Sequence, residues 1–137
     1  MKTILAILIL WIISPVVSNA QVVIYADDQT GAWGAGYNND NKPTTMKECT
    51  DLAIKMCKSK GGKDCTLLHK STKQGWCAMV SGKKKDGRNY FQGVDGCKTK
   101  EEAERTVRNK YLSDGGVDSK DLEIKSWYAY SNEKKTY

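Results

Sequence analysis

The chain is poor in the residues from which small catalytic and metal sites are usually built. It has one histidine, His69, and no paired C-x-x-C knuckles, so a zinc centre lacks a ligand set. No recognised signature surrounds His69 or any cysteine that would mark a nucleophile and its base. G-x-S-x-G, H-E-x-x-H, P-loop and dinucleotide fingerprints are all missing. Asp27 and Asp28 are adjacent, which suits turn formation better than the separated acids of a glycosidase. Proline occurs twice and phenylalanine once, so tryptophan and tyrosine must supply much of the buried area. These absences favour binding over catalysis, with no metal or cofactor expected.

Long apolar runs are also absent beyond the first twenty residues. Lys2 is followed by an apolar stretch from Ile4 to Val17, and Ser18-Asn19-Ala20 then places small residues before Gln21. This is the layout of a cleavable secretory signal peptide (1–20) cut after Ala20, and the run is short for the roughly 20 residues a membrane span needs. Gln21, not cysteine, follows the cut, so no lipid attachment is expected. The mature chain (21–137) reads as one domain, periplasmic or secreted, without a membrane span and folded where disulfides form. Loss of Lys2 leaves 21 basic residues against 16 acidic ones, an excess of five. A basic surface suits an acidic partner, yet it serves solubility equally well. Nucleic acid is not expected, because no recognised binding module is present.

The organisation is an internal repeat. Val22–Ala26 and Ala32–Tyr37 read as strands joined by a turn. Thr45-x-x-Glu48 is a capping box, and Cys49, Leu52, Ala53, Met56 and Cys57 recur at helical spacing. Gly61-Gly62 ends that helix, and Cys65–Ser71 is a third strand. The pattern then restarts with strands Trp76–Ser81 and Arg88–Gly93, a second box at Thr99-x-x-Glu102, a helix carrying Ala103, Val107 and Tyr111, Gly115-Gly116, and a strand over Leu122–Tyr130. Thr45, Glu48, Gly61 and Gly62 each return 54 positions later. The expected fold is α+β: two β-β-α-β units (about 21–71 and 75–130) with two helices and a mainly antiparallel sheet, sharing one core and stapled by disulfide. Cys57–Cys65 is the favoured pair, since it closes the short gap between helix and strand. A further bond is expected among Cys49, Cys77 and Cys97, with Cys77–Cys97 and Cys49–Cys77 both open.

The order Trp33-Gly34, a helix ending in Cys57, Cys65, and Gly75-Trp76-Cys77-Ala78 resembles the secreted bacterial family designated domain of unknown function 4189. The resemblance is confined to the first unit in its details: Tyr111 stands where the second helix would close in cysteine, and Tyr90-Phe91 replaces the aromatic-glycine pair. It implies the tandem strand-strand-helix-strand fold and an exported location, and no activity.

Two features suggest binding sites. Trp33, Trp76 and Trp127 fall one per hairpin or terminal strand, and either build the core or, if exposed and coplanar, offer a stacking surface. Lys83-Lys84-Lys85 falls at a hairpin tip before Asp86-Gly87-Arg88. The leading expectation is an exported protein of inhibitor or immunity type, which occludes a toxin or cell-wall enzyme with a hairpin loop, Gln29–Trp33 or Lys83–Arg88. Its candidate contacts are Gln29, Trp33, Lys83, Lys84, Lys85 and Arg88. The alternatives are an envelope glycan-binding module, and a small secreted hydrolase or toxin in which Asp27, Asp28, His69 or a thiol would have to converge in a cleft.

Overall fold

A computed structural model describes residues 21–38 and 45–130, so the expected leader lies outside the described residues. The elements follow the order read from sequence: β1 (Val22–Ala26), β2 (Trp33–Tyr37), α1 (Met46–Ser59), β3 (Thr66–Ser71), β4 (Gly75–Lys83), β5 (Asn89–Cys97), α2 (Lys100–Ser113) and β6 (Glu123–Ala129). They form two three-stranded antiparallel sheets, ordered β2-β1-β3 and β5-β4-β6.

The period-two alternation of the central strands builds the layers. Val22, Ile24 and Ala26 of β1 face Cys77 and Met79 of β4, with Ala35, Phe91, Trp127 and Ala129 completing the layer between the sheets. The intervening residues face outward and meet a helix. Val23 packs on Cys49 and Ala53 of α1, whereas Ala78 and Val80 pack on Ala103, Val107 and Tyr111 of α2. The result is a helix–sheet–sheet–helix stack whose two central strands are buried on both sides. Each fully buried valine or isoleucine there contributes roughly 1.5–3 kcal/mol of transfer free energy.

The first cap forms as read: Thr45 Oγ1 accepts from the Glu48 amide at 3.2 Å, and Glu48 accepts from the Thr45 amide at 3.1 Å. The second is only half a box. Thr99 Oγ1 accepts from the Glu102 amide at 3.1 Å, but the Glu102 carboxylate accepts one residue earlier, from the Lys98 amide at 2.9 Å.

Leu52 and Met56, expected on the core face of α1, are 49% and 40% exposed. The reason lies in β2. A methyl group at Gly34 would collide with the backbone of Ala53 and Cys57, and one at Gly36 with the backbone of Cys49. The strand therefore lies directly against the helix backbone, and the buried residues of α1 narrow to Cys49, Ala53 and Cys57.

Cys57 and Cys65 form the expected disulfide. The further bond expected among Cys49, Cys77 and Cys97 is not formed. Cys49 lies between α1 and the first sheet while Cys77 lies between the two sheets, so a sheet separates them. Cys97 pairs in register with Trp76 and packs in the α2 layer, on the other face of its sheet from Cys77. Among the described residues, no helix is long and apolar enough to cross a membrane.

Candidate binding site at the paired hairpin tips

The β1–β2 turn is organised by Asp27. Its carboxylate accepts from the amides of Gln29 (3.0 Å) and Thr30 (3.4 Å) within the turn. It also accepts from the amides of Lys63 (2.8 Å) and Asp64 (3.1 Å), in the loop between α1 and β3. Asp27 is buried, and these donors, Asp64 and Lys63 foremost, hold its carboxyl far below the usual carboxylate range despite the opposing effect of burial. The side chain is a structural staple between two loops, with no capacity left for acid–base work.

The β4–β5 turn is fixed at its base and its tip. Lys83 donates its amide to the Tyr111 hydroxyl at 2.8 Å, and that hydroxyl lies 2.8 Å from the Lys83 carbonyl and 3.1 Å from the Val117 carbonyl. The Val117 amide donates to the Lys83 carbonyl at 2.8 Å. At the tip the Lys84 amide donates to the Arg88 carbonyl at 2.9 Å. Asp86 accepts from the Arg88 amide (3.0 Å) and from Arg88 Nε (2.6 Å), which holds the Asp86 carboxyl below its ordinary value.

Asn89 joins the two turns. Its Nδ2 donates to the carbonyls of Asp28 (2.8 Å) and Gln29 (3.3 Å). Gly31, at φ 78°, lies against the same side chain, and a Cβ there would sit 3.2 Å from Asn89 Oδ1. The hairpin tips of two separate units are thereby locked side by side.

Between them opens a cleft of about 620 Å³. Asp28 and Gln29 line it from the first hairpin, Lys84 and Arg88 from the second, and Leu67, Leu68 and Phe91 contribute apolar surface from β3 and β5. Leu67 is 52% exposed. Tyr90 also lines the cleft, but Tyr111 stacks on its ring at 5.6 Å between centroids and the Lys84 ammonium lies 4.4 Å from its centre. Further along the same two strands, His69 Nε2 meets Asp95 Oδ2 at 2.6 Å. Gly93 makes room for it, since a Cβ there would lie 3.1 Å from His69 Cβ. The His69–Asp95 pair clasps β3 to β5 beyond the part of the strands that borders the cleft.

Of the contacts read from sequence, Gln29, Lys84 and Arg88 come together at this cleft. Lys83 and Lys85 are exposed on the same tip without lining it. Trp33 does not line the cleft: it is half-buried and packs on the layer between the sheets, with Lys60 Nζ 3.6 Å above its ring. Trp127 is buried and stacked on Tyr37, and Trp76 packs in the α2 layer, so the three tryptophans form no common platform. The groups a hydrolase would need are dispersed as well. Asp27 is consumed by amides, Asp28 lies in the cleft, and His69 is paired with Asp95 outside its lining. Burial, and then the Asp95 carboxylate, pushes the Cys77 thiol up to about 12, and burial with Glu102 and Asp95 raises that of Cys97. Neither is a thiolate at neutral pH.

Asn89, Leu67 and Tyr111 were not legible as site residues. Tyr111 carried one signal, its place in the repeat where the first unit has Cys57. No family model, curated protein or solved structure matches the chain.

Proposed function

We propose that this chain is an exported binding protein of inhibitor or immunity type, which neutralises a partner enzyme or toxin by seating the paired hairpin tips on it. The proposal includes kinship with the family designated domain of unknown function 4189, which adds the secreted setting and no activity. One observation carries the reading. The two hairpin tips, which the sequence offers as alternative contact loops, are locked together by Asn89 and share one cleft. A surface held this firmly loses little conformational freedom on association, which favours affinity. The cost of ordering has been met within the fold, by the Asp27 amide cluster on one side and Tyr111 on the other. A glycan-binding role gains no such support, since the tryptophans are spread over two layers and the half-buried Tyr90 ring already has Tyr111 and Lys84 against it.

The test is capture. Mature protein made under oxidising conditions, tagged and incubated with envelope and culture extracts, should retain one dominant protein. Asn89→Ala, which frees the tips from each other, should weaken retention while the far-ultraviolet spectrum stays unchanged. Retention of glycan alone, or of a protein indifferent to changes at both hairpins, would refute the reading.

A further inference from the structure

The cleft has a chemistry that narrows what the partner presents to it. Its two walls differ in sign. Lys84 and Arg88 stand on the second hairpin, with Lys83 and Lys85 beside them, and Asp28 stands on the first. Both lining cations keep ligand capacity. Lys84 is positioned by a ring, which orients an ammonium without neutralising it. Arg88 spends its Nε on Asp86, and its terminal nitrogens make no bond among the described residues. Leu67, a large aliphatic side chain left half in solvent, lines the same cleft.

We infer that the cleft takes an acidic segment of a partner protein, with a carboxylate against Lys84 and Arg88 and a neighbouring apolar side chain over Leu67. The inference rests on the binding role proposed above and deepens it. A protein segment is favoured over a sugar or a nucleic-acid strand because both of those rely on open aromatic faces. Tyr90 has Tyr111 against its ring and Lys84 above it, and Phe91 is 6% exposed, so the cleft offers aliphatic surface and cations instead. An anionic bilayer would meet a cationic face, whereas here the cations are gathered at one tip, with Asp86 within it and Asp28 opposite.

The probes are fluorescein-labelled octapeptides of alternating Glu-Leu, Lys-Leu and Glu-Ser, read by anisotropy on the mature oxidised protein, with phosphatidylglycerol vesicles in parallel. The Glu-Leu peptide should bind, and Lys84→Glu/Arg88→Glu should weaken it by about tenfold or more, with a smaller loss for Leu67→Ser. Arg88→Glu alone, at an exposed position, serves if the double variant unfolds. Binding of Lys-Leu at equal strength, equal binding of Glu-Ser, indifference to the charge reversals, or binding to vesicles in place of peptides would each overturn the inference. Its failure is distinguishable from failure of the binding reading. A captured partner that protects both hairpin tips from hydrogen exchange, yet binds Lys84→Glu/Arg88→Glu as tightly as wild type, removes the acidic segment and leaves the role intact.

Discussion

The two β-β-α-β units fasten a helix and the loop behind it to a sheet by different chemistry. Cys49, Ala53 and Cys57 of α1 correspond, 54 positions on, to Ala103, Val107 and Tyr111 of α2. The first set is small and meets Gly34 and Gly36, so backbone packs on backbone and a disulfide closes the loop. The second set grows toward Tyr111 and meets Tyr90 and Val94, and a phenol hydroxyl closes the loop by hydrogen bonds. Glycine is needed at the matching position behind each helix for unlike reasons: a Cβ at Gly62 would strike the disulfide sulfurs, and one at Gly116 would strike the Tyr111 ring. A repeat can thus keep its frame while exchanging a covalent lock for a polar one. Each lock ends next to a hairpin that borders the cleft.

The sharpest way to break the comparison is Gly36→Ala. It forces a methyl group into the Cys49 backbone, which cannot yield as a side chain can. The expected loss in urea denaturation is about 3 kcal/mol or more. The effect should be far smaller for Gly87→Ala, where space is open and only the left-handed backbone (φ 85°) resists.

Asp27→Asn should follow, with a large fall in Tm at neutral pH. The folded pKa is depressed, so the carboxylate's contribution is complete above the unfolded value near 4 and is lost as pH falls below it. The gap between wild type and variant should therefore be constant from neutral pH down to about 5 and close progressively below about 4. A gap that widened on acidification would contradict the staple.

Replacing both Cys57 and Cys65 by alanine opens a loop with a sequence separation of 8. The loss of loop closure should remove about 2.5 kcal/mol. Amide exchange should quicken between 58 and 64 and stay unchanged between 112 and 118. Tyr111→Phe is the counterpart in the second unit. It strips the Lys83 amide of its acceptor and should cost about 1–2 kcal/mol by the same denaturation assay, with faster exchange at Lys83 and Val117.

The repeat, its caps and its breakers were legible because they are local: a threonine accepts an amide three residues on, and glycine stops a helix, whatever lies elsewhere. Cys57–Cys65 was legible for the same reason. Leu52 and Met56 misled because periodicity gives the apolar face of a helix and not the width of the contact it meets, which Gly34 and Gly36 set from another strand. The second disulfide failed because spacing does not say which face of a sheet a cysteine occupies. Gln29, Lys84 and Arg88 were found as loop-tip residues, but their meeting depends on Asn89 and on the stacking of two sheets, and no local pattern encodes either.

The most direct measurement is hydrogen–deuterium exchange of residues 21–137, alone and with the protein that the capture experiment is expected to retain. Protection concentrated at 28–31, 66–68 and 84–91 is the expected result. Protection confined to the outer faces of α1 and α2, with both tips exchanging as in the isolated protein, would show that the hairpins are not the binding surface.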